Sequence, residues 1–249
     1  MKPKWSIHDG VFGDEQPRFV ECLDKHGISY EIVGLHDKVR GDIVRCSTQK
    51  AKLLHGYSGL MCDWKAFLRY SYYGKYVGFL LNKQFVFTTY GELLCNTAYY
   101  GYKFGSTVFL APDSGDKVFY AELVDLHRLD KHRGEYLHGW DDGLKILIAP
   151  KLDITEEFRF VVSDRVIAGT KYKENCELEV APISSDHSAW KYADQVVREV
   201  DYRPGELFVL DVGIVRGKYG VVELNSFSCS GLYDCDPEPI ILHFESRSV

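Results

Sequence analysis

The segment Val221-Val222-Glu223-Leu224-Asn225-Ser226 sets an acid and an amide two residues apart in an otherwise apolar run. Side chains alternate between faces along a strand, so Glu223 and Asn225 share one face while Val222 and Leu224 share the other. Burying such polar groups unpartnered costs about 2 to 7 kcal/mol each, so a partner is expected on that face. Upstream, Phe208-Val209-Leu210-Asp211-Val212-Gly213-Ile214 carries a single acid, and a glycine-containing turn between the two runs gives the pattern of a hairpin. A turn Arg216-Gly217-Lys218, with Val215 opposite Tyr219, would place Asp211 opposite Glu223. Two carboxylates at that separation repel unless a cation lies between them. Carboxylate and amide oxygens are hard ligands suited to magnesium, particularly when phosphate oxygens complete its octahedron. The competing reading is a sheet face open to water, on which Asp211, Glu223 and Asn225 are merely solvated.

The elements that must carry these residues follow from hydrophobic period and turn signals. Pro17, then Phe19, Val20 and Leu23, then Gly27 read as a short amphipathic helix. Alternation at Ile28, Tyr30 and Ile32, and again over Asp42–Cys46, gives a β/α start with a parallel sheet. Trp64, Phe67, Leu68 and Ser71 recur at helical spacing, and Thr88 or Thr89 caps a second helix running to about Tyr99. The cluster Tyr99-Tyr100-Gly101-Tyr102 reads as core packing rather than base stacking, because only Lys103 accompanies it as a basic neighbour. Val108–Pro112 is a strand, Asp113-Ser114-Gly115-Asp116 a turn, and Lys117 opens a strand to Val124. Such a polar loop can present backbone N–H groups to phosphate with a lysine at its edge, although the same residues also make an ordinary hairpin turn. Lys145–Lys151 is a buried strand, and Glu156–Val162 pairs with Val166–Ala168 across Ser163-Asp164-Arg165. That pairing puts Arg159 and Lys171 on one sheet; the bland alternative is an exposed arrangement of Glu157 and Arg159 worth about 0 to 1 kcal/mol. Ser185 or Asp186 caps a helix whose stripe is Trp190, Ala193, Val196, Val197 and Val200.

The whole chain bounds the function class. Its 249 residues suffice for one large domain or several lobes, and 45% hydrophobic with 27% charged residues is ordinary for a folded soluble protein. With 30 basic against 36 acidic residues, a net of -6, no global field favours nucleic acid or anionic lipid, so any phosphate binding is local. No apolar run of the about 18 residues that span a bilayer occurs, and the N-terminal residues lack a signal-peptide core. Seven scattered cysteines without a Cys-x-x-Cys pair point to neither a disulfide framework nor a zinc site, and fit a reducing cytoplasm.

The order of these pieces resembles the ATP-grasp superfamily: Pro112 with Lys117, Glu157-Phe158-Arg159-Phe160-Val161-Val162, Asp211, Glu223-Leu224-Asn225-Ser226-Phe227, then Gly231-Leu232-Tyr233. It is most similar to a clade of ligases frequent in bacteriophages. The resemblance implies an α+β (α/β) fold of two lobes clasping ATP, preceded by a small β/α domain, with boundaries at 1–85, 86–149 and 150–249. It implies an ATP- and magnesium-dependent carboxylate–amine ligase acting through an acylphosphate and releasing ADP and phosphate. Carried over by position, Lys117 contacts phosphates and the strand holding Ile148, Ala149 and Lys151 meets adenine, with Glu157 also assigned to the nucleotide. Asp211, Glu223 and Asn225 hold magnesium, while Arg159 and Lys171 stabilise charge on the transferring group. The implied partner is a small molecule or peptide with a carboxylate, together with an amine acceptor, and neither a membrane nor nucleic acid in general.

One departure stands out: Ala111 occupies a position that is basic in many relatives, immediately before the strand-ending proline. It motivates the alternative of a non-catalytic interaction protein, phage-encoded, that keeps the fold to bind a nucleotide or a host partner. A small-molecule kinase would use the same site chemistry.

Overall fold

The structure, a computed structural model, describes residues 4–113, 119–136, 142–174 and 177–246. Two compact units divide the chain, Met1–Asp63 with Thr155–Val249, and Trp64–Ile154. Among the described residues no helix is long and apolar enough to cross a membrane.

The first unit begins with strand β1 (Trp5–His8), helix α1 (Glu15–Lys25), strands β2 (Tyr30–Val33) and β3 (Ile43–Arg45), and the short helix α2 (Thr48–Leu53). The three strands form a parallel sheet ordered β2-β1-β3, as the β/α alternation led one to expect. Its central strand β1 is the one the pattern did not show, because all four residues are buried and Ser6 and His8 interrupt the apolar signal. Helix α1 buries Phe19, Cys22 and Leu23, and the chain turns out of it at Gly27, whose φ of 65° is the left-handed conformation glycine adopts without cost.

The second unit contains α3 (Arg69–Tyr76), β4 (Val86–Thr89), α4 (Tyr90–Cys95), α5 (Thr97–Phe104), β5 (Thr107–Pro112), β6 (Glu122–Asp125), α6 (Leu129–Tyr136) and β7 (Lys145–Pro150). Its antiparallel sheet has the order β4-β7-β5-β6. Three expectations change here. The helix read from Trp64 starts only at Arg69, after a turn region. Thr89 does cap a helix, accepting from the Glu92 N–H at 3.2 Å, but the run to Tyr99 breaks at Asn96 into α4 and α5. Of the tyrosine cluster only Tyr100 is core, while Tyr99 and Tyr102 are exposed. The turn 114–116 and Lys117 lie outside the described residues, and β6 is confined to Glu122–Asp125.

The chain then returns to the first unit with β8 (Glu156–Val162), β9 (Val166–Glu174), β10 (Glu177–Pro182), α7 (Ser188–Glu199), β11 (Phe208–Val215), β12 (Lys218–Ser226) and α8 (Pro237–Glu245). Strands β8 to β12 form an antiparallel sheet ordered β10-β9-β8-β11-β12. Helix α7 is capped by His187, whose ring nitrogen accepts from the Ala189 N–H, rather than by Ser185 or Asp186. It buries Ala189, Ala193, Val196 and Val197. One core joins the two ends of the chain: Trp5, Phe19 and Leu23 pack with Val161, Val209, Phe227, Ile240 and Phe244. Trp5 meets Phe19 and Phe244 edge to face, each at 5.1 Å between ring centroids.

Candidate functional site

Strand order and register bring Arg159, Asp211 and Glu223 into one row. Asp211 on β11 pairs with Arg159 of β8 on one side and with Glu223 of β12 on the other. The Asp211–Glu223 pairing expected from parity therefore forms, by a different route. The turn has two residues, Arg216 and Gly217, with φ of 50° and 73°, and Val215 pairs with Lys218. Positive φ at both central residues suits the right-handed twist of a hairpin. A two-residue turn alone would set Asp211 opposite Val222 and turn Glu223 to the other face. A β-bulge corrects this: the register shifts between Val212–Val221 and Asp211–Glu223, leaving Val222 as the extra residue.

A second bulge lies across β8 and β9, where Glu157 pairs with Lys173 and Phe158 with Lys171, so Tyr172 is the extra residue. Tyr172 and Lys173 both reach Glu157: the phenol donates to Oε2 at 2.6 Å, and Lys173 Nζ donates to Oε1 at 2.5 Å. Lys171 goes elsewhere. It lies opposite Phe158, whose ring packs near His187 and Tyr219, and its Nζ is 3.5 Å from Glu156 Oε2. Alternation along β8 places Phe158, and with it Lys171, on the face away from Arg159. The cation that joins the Arg159 side is Lys173, which the sequence pattern does not single out because nothing in it announces the bulge.

Arg159 is 8% exposed and Asp211 0% exposed, so the reading of an exposed or merely solvated face does not hold for these two. Arg159 Nε donates to Asp211 Oδ1 at 2.8 Å and Nη2 to Oδ2 at 2.7 Å, the two-point pairing that guanidinium and carboxylate planes favour. Nη1 donates to the Gly231 carbonyl at 2.8 Å. The Asn225 amide bridges the acids, Nδ2 donating to Glu223 Oε1 at 2.8 Å and to Asp211 Oδ2 at 3.2 Å. Burial pushes the Asp211 carboxyl up, Arg159 pulls it down, and Glu223 and Glu157 push it up again, to about 6. Burial lowers the Arg159 pKa, but the Asp211 charge and hydrogen bonds outweigh burial and leave it raised. The two-point geometry is that of a guanidinium–carboxylate ion pair.

Does this set suit a metal? Among the described residues no group of three or more His, Cys, Asp and Glu side chains could hold one. Two carboxylates and an amide are nevertheless what magnesium takes from a protein, since it keeps waters or phosphate oxygens for its remaining positions rather than using an all-protein cage. Asp211 is buried and held by Arg159, whereas Glu223 and Asn225 are half-buried. The residue types suit magnesium, with Glu223 and Asn225 the half-buried members, but Asn225 turns its Nδ2 onto both acids and only its oxygen could ligate a cation.

In the second unit Ile148 is buried in the interior strand β7, paired with Val86 and Leu110, and Ala149 is buried opposite Phe109. The Pro150 carbonyl accepts from Asn82 Nδ2 at 2.9 Å. Lys151 is exposed, 3.3 Å from Asp153. Ala111 is fully buried and pairs with Leu147.

A family model described as the ATP-grasp domain, R2K clade family 2, matches residues 81–241, more than half of the chain. The chain belongs to this ATP-grasp family. Its α+β architecture is the ATP-grasp fold. D-cycloserine synthetase DcsG is similar to it with a TM-score of 0.67 at 12% identity, covering 98% of this chain and 99% of that one. The ATP-grasp ligase PsnB, in a complex with a phosphomimetic variant of its minimal precursor, Mg and ADP, gives a TM-score of 0.59 at 13% identity over 99% and 100%. D-alanine–D-alanine ligase from Bacillus anthracis gives 0.59 at 12% identity over 98% and 96%. At these identities the likeness establishes the ATP-grasp fold and leaves the reaction to the chain's own residues. No curated protein matches the sequence.

Proposed function

We propose that this ATP-grasp protein is an ATP- and magnesium-dependent carboxylate–amine ligase. The observation that carries the reading is the row Arg159–Asp211–Glu223 with Asn225 beside it, two acids, an amide and a buried guanidinium on one sheet face. In support, the structural neighbours include enzymes whose names declare them ligases or synthetases.

In this reading a substrate carboxylate oxygen attacks the γ-phosphorus of ATP and ADP leaves. An amine then attacks the acyl carbon, phosphate leaves, and the amine gives up a proton. Magnesium, when bound, would draw charge from phosphate oxygens, with Glu223, Asn225 and Asp211 as its protein ligands. Arg159 is held on Asp211, which fixes both the guanidinium and the carboxylate before any ligand arrives; such fixed charges act where negative charge develops without reorganising. Lys117, the strand end with Ile148, Ala149 and Lys151, and Glu157 are assigned to the nucleotide. Lys171 keeps its assignment to charge stabilisation as a hypothesis, and Lys173 joins it because its ammonium sits on the Arg159 face. The acceptor is a small molecule or a peptide amine.

Incubation with ATP, magnesium and amino-acid pools carrying heavy-oxygen-labelled carboxylates tests the route. An acylphosphate transfers labelled oxygen to the released phosphate. ADP release with unlabelled phosphate would contradict it, and a stable phosphorylated small molecule would select a kinase instead.

A further inference from the structure

The residues after β12 are held in an unusual way. Arg45 Nη2 donates to the Ser230 carbonyl at 2.7 Å, Arg159 Nη1 to the Gly231 carbonyl at 2.8 Å, and the Leu232 N–H donates to Glu15 Oε2 at 2.6 Å. Three consecutive backbone positions are thus tied to charged side chains from β3, β8 and α1. Arg45 and Glu15 are themselves paired at 2.7 Å, with Arg45 1% exposed and its guanidinium against Phe12, Phe19 and Phe227. The next residue, Tyr233, has a φ of 53°, the left-handed region in which a side-chain-bearing residue is strained. Strain of this kind persists where surrounding contacts over-determine it. What it delivers is the Tyr233 ring, 5.0 Å from Arg159 Cζ and parallel to the Tyr172 ring within 3°, with the two centroids 5.0 Å apart. Tyr172 lies 5.4 Å from the same Cζ and is anchored through its hydroxyl on Glu157.

We propose that Tyr233 is a positioning residue for Arg159: stacked on Tyr172, it forms with it an aromatic pair to one side of the guanidinium, a clamp against Asp211 that keeps the guanidinium turned onto that carboxylate. The side chain's own hydrogen bonds fix two edges of the guanidinium plane, and the rings supply a π face that favours the cation and excludes water from it. Tyr172 is the inner member, carried on a sheet bulge. Tyr233 is the outer one, 37% exposed, brought in by the pinned segment 230–232. A charge placed this way is worth more than the same charge free to rotate, because its orientation is settled before the reaction needs it. The kinetic consequence rests on the ligase reading above; the geometric one does not.

The test uses the full chain with nitrogen-labelled arginine, the Arg159 signals being assigned with Arg159→Lys. In the parent protein the Arg159 Nη protons should give separate, slowly exchanging signals. Tyr233→Phe keeps the ring and should leave them unchanged. Tyr233→Ala and Tyr233→Leu, the second retaining bulk without a π face, should speed Nη rotation or exchange by about tenfold. If the ligase reading holds, kcat falls by a similar factor in Ala and Leu, with KM for ATP little changed and Phe restoring kcat. Unaltered Arg159 signals in both Tyr233→Ala and Tyr233→Leu overturn the clamp. Altered signals in a chain that shows no turnover with any substrate pool would keep the clamp and remove the ligase reading.

Discussion

Arg159 and Asp211 face each other across β8 and β11 and share two hydrogen bonds, 2.8 Å and 2.7 Å, with Asp211 wholly buried. Removing one member of such a pair strands the other, which costs about 3 to 5 kcal/mol. Asp211→Asn should therefore lower the unfolding free energy obtained from a urea titration by an amount in that range. Replacing both residues by apolar ones of similar volume should recover most of the loss while abolishing Mg-ATP binding. An Asp211→Asn variant as stable as the parent contradicts the ion-pair assignment.

The hairpin turn carries a testable cost. Arg216 adopts a φ of 50° ahead of Gly217 at 73°, and an arginine gains nothing there that asparagine would not supply with less strain. Arg216→Asn should raise stability by about 0.5 to 1 kcal/mol in denaturant unfolding, with no effect on nucleotide binding. Destabilisation would mean that the turn depends on the arginine side chain.

Gly169 faces Phe160 across β9 and β8, and an added Cβ would stand 2.7 Å from Phe160 Cδ1 and 3.2 Å from Trp190. Both neighbours pack where α7 meets the sheet, so neither can retreat freely. Gly169→Ala should destabilise by about 1 to 3 kcal/mol, the usual range for overpacking. Thermal unfolding reads this directly, and an unchanged midpoint would contradict the packing described.

A pH dependence follows from His132 in the second unit. Burial lowers its pKa below the ordinary 6.5, against Glu122 and Glu135, which raise it. Its Nδ1 meets the Tyr90 hydroxyl at 2.9 Å and its Nε2 lies 3.4 Å from Glu122. The unfolded chain then binds a proton that the folded chain resists, so His132's contribution to stability rises with pH and is lost as pH falls from 6.5 through the folded pKa. His132→Gln should flatten the stability profile in that window. A variant with the parent's slope would assign the dependence to another group.

The strands nearest the site were legible because their signals were strong. Glu156–Val162 is delimited by apolar alternation and a turn, and matches β8 residue for residue. Parity leads to the pairing of Asp211 with Glu223, yet through a three-residue turn, because a bulge at Val222 leaves no local mark between Val221 and Glu223. The bulge at Tyr172 hid Lys173 for the same reason, in a stretch where Lys171, Tyr172 and Lys173 suit either face. Strand β10, with Leu178 and Val180 exposed, carries no burial pattern to find. Tyr99 and Tyr102 looked like core only because aromatic clusters usually are, and the helix α5 turns both outward.

In the proposed function the Glu223 face, with Asp211 and Asn225, serves magnesium-dependent ATP chemistry. Its most direct test is ADP release from ATP with pooled amino acids and polyamines, with and without magnesium, in the parent and in Glu223→Gln. Release should require both magnesium and a pool, and should fall at least about a hundredfold in Glu223→Gln at unchanged thermal stability. Magnesium-dependent release that survives in Glu223→Gln would contradict the site, and no release with any pool would contradict the ligase.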